Sequence, residues 1–135
     1  MSRPVDARLP DRAPNPCRVL VVDDHPDTAR SYFELLSAMG HECRYTSDVR
    51  QAVSLAKALS PQLALLDIGL APDLDGHRLA QMLRAEFGGR ITLIAVTAYG
   101  RDEDRRRTRQ AGFDAHVTKP IDIGMLESIL STANC

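Results

Sequence analysis

Two apolar patterns alternate along the chain from residue 17 onward. Continuous apolar runs, which are typical of short strands covered on both faces, occur at Val19–Val22, Leu63–Leu66, Ile91–Val96 and, more briefly, Ala115–Val117. The stretch HECRYTS, residues 41–47, mixes polar and apolar residues and predicts a fifth strand at the edge of the sheet. In the segments between these strands, the apolar residues are spaced differently.

Apolar residues at the i, i+3, i+4, i+7 spacing of an amphipathic helix lie between the predicted strands. The four stripes are Ala29, Tyr32, Phe33 and Leu36; Val49, Ala52, Val53 and Ala56; Leu79, Met82 and Leu83; and Met125, Leu126, Ile129 and Leu130. Strands that alternate with helices predict an α/β fold with a parallel sheet covered on both faces. Right-handed crossovers then give a five-stranded, doubly wound (β/α)5 sandwich.

The first sixteen residues differ from the rest of the chain. They contain four of its eight prolines and almost no apolar periodicity. This composition predicts a disordered or extended tail over residues 1–16, followed by a single domain over residues 17–135.

Composition narrows the function classes. The chain has 135 residues, 44% hydrophobic and 26% charged, with a formal net charge of −1, so nucleic acid and membrane are not expected partners. No apolar run approaches the roughly 20 residues that span a bilayer. Cys17, Cys43 and Cys135 are an odd, scattered set, which favours reduced thiols and a cytoplasmic location over a disulfide framework.

Five polar residues follow the predicted strands. Asp23 and Asp24 end the first strand, Asp67 the third and Thr97 the fourth, and Lys119 follows the fifth. Open α/β sheets bind ligands at this carboxyl edge. A plainer alternative for the first pair is a solvated turn in which Asp24 or Asp27 caps the next helix. The convergence of all five residues favours a functional site.

Three carboxylates suit a hard divalent cation such as Mg²⁺. Asp67 is held at the end of a buried strand and is a candidate nucleophile that forms an acyl phosphate. Mg²⁺ and Lys119 would neutralise the transferring oxygens, and Thr97 could hydrogen-bond the attached phosphoryl group. The sequence has no glycine-rich phosphate loop of the dinucleotide or P-loop type, so a nucleotide is not the expected donor.

The motifs VLVVDDHPD, LLDIGL, DLDG, AVTAYG and VTKP, in this order and spacing, resemble the receiver domain of bacterial response regulators. The resemblance covers about residues 17–132 and is strongest to receivers attached to hybrid histidine kinases. It implies the flavodoxin-like strand order 2-1-3-4-5 and phosphoryl transfer to Asp67 from a histidine kinase or histidine-phosphotransfer protein. It also implies an output partner that binds the face formed by the fourth helix, fifth strand and fifth helix.

The resemblance also implies individual roles at the site. Asp24, Asp67 and the backbone carbonyl of Gly69 would bind Mg²⁺, with Asp23 assisting through water. Thr97 would be the switch hydroxyl and Lys119 would contact the phosphoryl group. The Lys119–Pro120 peptide bond would be cis.

Two positions depart from the family pattern. Pro72 lies five residues after Asp67 instead of four, which indicates one extra residue near Ala71. The aromatic switch position, three residues before Lys119, is His116 where tyrosine or phenylalanine is usual. The conformation of the loop after Asp67 and the role of His116 are therefore open.

The run RDEDRRRTRQ, residues 101–110, places acids before bases, the order that complements a helix dipole. It has almost no apolar stripe, so this predicted fourth helix should be weakly anchored. A solvated helix is the main interpretation. A mobile docking face for a partner is the sharper alternative, and a nucleic-acid patch is disfavoured by the acids.

Two other functions are compatible with parts of the pattern. A Mg²⁺-dependent phosphatase would also use an aspartyl nucleophile, but it needs a general acid two residues away on the same strand end, which DDHPD does not offer. A degenerate receiver that binds partners without phosphorylation is disfavoured by the complete set of acids. The sequence favours a phosphoacceptor signalling domain that catalyses its own phosphoryl transfer and hydrolysis.

Overall fold

The computed structural model describes residues 16–67, 76–97 and 109–135. The strands are β1 (Arg18–Val22), β2 (Glu42–Thr46), β3 (Leu63–Asp67), β4 (Thr92–Thr97) and β5 (Ala115–Thr118). The helices in these ranges are α1 (Pro26–Ala38), α2 (Val49–Leu59), α3 (Gly76–Phe87) and the C-terminal helix (Ile123–Thr132), with a short 3₁₀ turn at Gly88–Arg90. The predicted fourth helix and residues 1–15 of the predicted tail lie largely or wholly outside the described residues.

All four strand pairings are parallel, and the strand order is β2-β1-β3-β4-β5. This confirms the predicted flavodoxin-like sheet, with β2 at one edge. Alternate residues of the inner strands enter two separate cores, which explains why the apolar runs show no polar alternation. Burying each large apolar side chain contributes roughly 1.5–3 kcal/mol.

The two cores lie on opposite faces of the sheet. Leu20, Ala64 and Leu93 belong to the core that α2 and α3 cover. Val21 and Leu65 belong to the core that α1 and the C-terminal helix cover. The three-layer sandwich therefore follows directly from the two apolar patterns in the sequence.

The helix starts show how the chain leaves the strands. His25 is the N-cap of α1, without a side-chain capping bond, and proline opens the helix. The alternative in which Asp24 or Asp27 caps this helix is therefore wrong. Asp48 caps α2 by accepting from the Arg50 N–H at 2.9 Å, and Asp122 caps the C-terminal helix in the same way.

The cysteines correct one expectation. Cys17 and Cys135 form a disulfide with 5.5 Å between their Cα atoms, although they lie 118 residues apart. Cys43 is a buried free thiol, and burial raises its pKa to about 12. The prediction of a reduced set was wrong because the fold brings the start of β1 beside the end of the C-terminal helix. Sequence spacing alone does not reveal that proximity.

Within residues 16–67, 76–97 and 109–135, no helix is long and apolar enough to cross a membrane.

Candidate functional site

The predicted site residues meet at the carboxyl edge of the sheet. Asp23 follows β1, Asp67 is the last residue of β3, Thr97 is the last residue of β4, and Lys119 follows β5. The register pairs Asp67 with Val96 in β4, so neighbouring strands end level with one another. A parallel sheet with aligned ends thus gathers side chains that lie far apart in the sequence.

Asp23 is a buried carboxylate that is only partly compensated. Its side chain is 2% exposed, and its Oδ1 accepts from the His25 N–H at 3.0 Å. Its Oδ2 has no hydrogen-bond partner among the described residues, although Lys119 Nζ lies 3.6 Å away. Burial raises the pKa of Asp23, with the charge of Asp67 adding and the His25 N–H and Lys119 opposing.

Lys119 bridges the two acids of neighbouring strands. Its ammonium donates a hydrogen bond to Asp67 Oδ2 and forms an ion pair with Asp23. Its backbone N–H donates to the Thr97 carbonyl at 2.8 Å, and the Lys119–Pro120 bond is cis, as expected. Burial lowers the pKa of Lys119, but the hydrogen bond and the charges of Asp67 and Asp23 outweigh it, so the net shift is upward. Lys119 is therefore a cation directed at Asp67.

The donor atoms at this edge fit a divalent cation. One atom from each of Asp23, Asp24, His25 and Asp67 lies within 4.8 Å of the others. A buried carboxylate oxygen without a hydrogen-bond partner is costly unless a cation or water binds it, and Asp23 Oδ2 is such an atom within the described chain. This oxygen-rich set matches the ligands that Mg²⁺ prefers.

For the remaining predicted residues, the structure gives the position and burial of two and does not describe the others. Thr97 is 5% exposed at the end of β4. His116 is partly exposed on β5, where it pairs in register with Ala95. Gly69, a predicted metal ligand, and Ala71 and Pro72, the positions of the extra residue, lie outside the described residues.

Two residues near the site were not predicted. His25 Nδ1 lies 3.2 Å from Asp24 Oδ1 and 3.6 Å from Asp23 Oδ1. Tyr32 on α1 is half-buried; burial raises its pKa, the nearby charge of Lys119 opposes that shift, and the charges of Asp23 and Asp67 add to it. His25 could have been predicted as a site residue, because it directly follows the two acids in the sequence. Tyr32 matched the helical stripe and was assigned to the core.

The chain is similar in sequence to several known proteins. The family profile described as Response regulator receiver domain matches residues 19–131. The sensor histidine kinase RcsC of Escherichia coli (strain K12) is 30% identical over 113 residues, which cover 84% of this chain and 12% of that kinase. The polar-differentiation response regulator DivK of Brucella anthropi is 34% identical over 109 residues, which cover 80% of this chain and 88% of DivK.

Solved structures give the same result for the fold. A CheY-like response regulator receiver domain protein from Methanospirillum hungatei JF-1 superimposes with a TM-score of 0.79 at 27% identity, covering 89% of this chain and 95% of that one. The chemotaxis protein CheY4 of Vibrio cholerae has a TM-score of 0.80 at 19% identity, covering 88% and 99%. At this low identity, the similarity to CheY4 concerns the fold alone.

Proposed function

Because this chain belongs to the response regulator receiver domain family, we propose that Asp67 is its phosphoacceptor. Receiver domains are signalling modules of two-component systems. The donor would be the phosphohistidine of a histidine kinase or a histidine-phosphotransfer protein. The observation that supports this role most directly is the placement of the Lys119 ammonium on the Asp67 carboxylate.

The transfer follows from the chemistry of these residues. An Asp67 oxygen attacks phosphorus, the bond from phosphorus to the donor imidazole nitrogen breaks, and an acyl phosphate forms. Lys119 holds a positive charge beside the transferring oxygens. Asp24, Asp67 and the Gly69 carbonyl would bind Mg²⁺, with Asp23 assisting through water. The ion supplies further neutralisation of the phosphoryl charge. Hydrolysis of the same acyl phosphate by water resets the domain.

Signal output would use the switch pair. In this proposal the Thr97 hydroxyl donates a hydrogen bond to the attached phosphoryl group. His116 on the neighbouring strand then changes its orientation. An output partner would then read the face formed by the predicted fourth helix, β5 and the C-terminal helix. Neither nucleic acid nor membrane is expected as the partner. We place the domain in the cytoplasm because of its match to the receiver family, since the Cys17–Cys135 disulfide removes the argument from reduced thiols.

The direct test is labelling with a small acyl-phosphate donor and Mg²⁺. The parent protein should gain one phosphoryl group that hydroxylamine removes, because acyl phosphates react with this nucleophile. Asp67→Asn keeps the shape of the side chain but loses the nucleophilic charge, so labelling should vanish. Asp27→Asn, an exposed acid at the start of α1, is the matched control and should label normally. Equal labelling of the Asp67 variant would overturn the proposal.

The metal roles are tested separately by titration with Mg²⁺. Asp24→Ala should weaken binding more than Asp23→Ala, because a direct ligand contributes more than one that acts through water. Binding that is equal in both variants and the parent would remove the metal from the proposal while leaving the phosphoacceptor in place.

The alternative of a Mg²⁺-dependent phosphatase is not favoured. The receiver-family match spans residues 19–131, and the stretch DDHPD at the end of β1 does not offer the paired nucleophile and general acid of that class. Turnover of a generic phosphoester by the parent protein, lost in Asp67→Asn, would restore this alternative.

A further inference from the structure

His25 occupies a fixed position beside the acidic site. It is the residue before α1, and the helix opens with a proline at its first turn. Its backbone N–H donates to Asp23 Oδ1 at 3.0 Å, so its main chain is tied to the site. Its side chain is 60% exposed and forms no capping bond with the helix. The imidazole therefore lies beside the acidic residues and does not cap the helix.

The imidazole nitrogen points to the same space as the carboxylates. His25 Nδ1 lies 3.2 Å from Asp24 Oδ1, yet that oxygen has no hydrogen-bond partner among the described residues. First-row metals bind nitrogen and oxygen at about 2.0–2.2 Å, so opposite ligands lie roughly 4.4 Å apart. The four donor atoms already lie within 4.8 Å of one another. Small side-chain rotations would bring all four within reach of one ion.

A second observation indicates a cation here independently of the donor count. Asp23 Oδ2 is buried, and in the described part of the chain it has no hydrogen-bond partner. The Asp23 side chain is only 2% exposed, so bulk water cannot compensate this oxygen freely. The site thus combines a nitrogen donor with a buried oxygen that lacks a hydrogen bond and has Lys119 Nζ 3.6 Å away. An imidazole nitrogen is not a ligand that Mg²⁺ prefers.

We propose that His25 Nδ1 is a ligand of the metal at this site and shifts its selectivity toward first-row transition ions such as Mn²⁺ and Co²⁺. This inference rests on the proposed metal site. Oxygen-only sites already bind Co²⁺ more tightly than hard ions, following the general order of divalent affinities. The contribution of His25 is therefore defined as the part of the preference for Co²⁺ over Mg²⁺ that disappears when the imidazole is removed.

Calorimetric titration of the full chain with Mg²⁺ and with Co²⁺ measures this difference. His25→Ala keeps the backbone N–H bond to Asp23 and removes only the imidazole. Co²⁺ binding should weaken by about tenfold or more, whereas Mg²⁺ binding should change by less than about threefold. Equal changes for both ions would overturn the proposal, because a nitrogen ligand must discriminate between them.

Pulsed electron paramagnetic resonance of bound Mn²⁺ provides a readout that affinity alone cannot. The parent should show the coupling of a directly bound ¹⁴N nucleus, and His25→Ala should lose it. His77→Gln removes an imidazole that packs against Phe113 instead, and this control should keep the coupling. A parent spectrum without nitrogen coupling would overturn the role of His25.

Asp24→Ala tests the metal site separately from the role of His25. If this variant loses Mg²⁺ and Co²⁺ binding but the parent lacks nitrogen coupling, only the proposal for His25 fails. If the variant binds both ions as the parent does, the metal lies elsewhere, and both the metal site and the role of His25 are overturned.

Discussion

The two ends of the sheet are built differently. At the amino ends of the strands, one arginine joins several polar groups: Arg84 donates to the carbonyls of Gly112, Gly88 and Ile91 and to the Asp114 carboxylate. At the carboxyl ends, the described residues leave the buried Asp23 Oδ2 without a hydrogen bond. The contacts at the amino ends join separate elements of the fold, whereas the carboxyl ends gather the charged groups of the proposed site.

The amino end is also fastened covalently. The disulfide joins Cys17, at the start of β1, to Cys135 beyond the C-terminal helix. The Cys17 N–H donates to His41 Nδ1 at 2.9 Å, although His41 Nε2 has no partner within the described residues. We therefore expect substitutions near the amino ends to lower the stability of the fold, and substitution of the buried charge at the proposed site to have the opposite effect.

The largest effect on stability should come from the disulfide. Closing a loop of 118 residues restricts the unfolded chain and stabilises the fold by about 5 kcal/mol in the loop-entropy account. Cys135→Ser should lower the free energy of unfolding by about this amount in urea titrations. Phosphoryl labelling of the folded variant should be unchanged. A reductant should destabilise the parent but not the variant; an unchanged parent would contradict the prediction.

The Arg84 cluster should give the next largest effect. Arg84→Ala removes hydrogen bonds to three carbonyls and to Asp114, and we expect a loss of about 2 kcal/mol. Arg78→Ala, an exposed arginine on the same helix, is the control and should be nearly neutral. Urea unfolding of both variants checks this, and equal stabilities would mean that the cluster contributes nothing.

At the carboxyl ends of the strands, a substitution should raise the stability of the fold. Asp23→Asn removes an incompletely paired buried charge, so in metal-free buffer it should stabilise the fold by about 1 kcal/mol at neutral pH. The pKa of Asp23 is raised mainly by burial, so the folded state binds its proton more tightly than the unfolded state. The penalty on the parent therefore fades as pH falls through the raised pKa toward the ordinary value of 3.8.

The gap in stability between Asp23→Asn and the parent should accordingly narrow on acidification. Thermal unfolding of both proteins in a chelator, from neutral to mildly acidic pH, would measure it. A variant less stable than the parent at neutral pH would mean that Asp23 is fully compensated in the folded state.

The sequence predicted most of the sheet and its carboxyl edge because both depend on local patterns. Apolar runs locate the strands, and a residue such as Asp67 is positioned simply by ending one of them. The missed features depend on contacts that are distant along the chain. Arg84 reaches Gly112 across 28 residues, and Cys17 reaches Cys135 across 118. Neither pair leaves a periodic signal in the sequence.

His25 was missed for a different reason. Its neighbours Asp23 and Asp24 were identified, but the direction of the imidazole depends on the turn between β1 and α1, which residue spacing does not specify. The opening proline of α1 and the His25 N–H bond to Asp23 determine that turn in the structure. Local backbone geometry, beyond the pattern of residue types, therefore decides which side chains join the site.

Chemical mapping of the phosphorylated residue tests the central claim most directly. Borohydride reduction converts an aspartyl phosphate to homoserine, and peptide mass spectrometry then locates it. After reaction with an acyl-phosphate donor and Mg²⁺, homoserine should appear at position 67 alone. Homoserine at position 23 or 24, or its absence from a protein that has been labelled, would contradict the assignment of Asp67 as the phosphoacceptor.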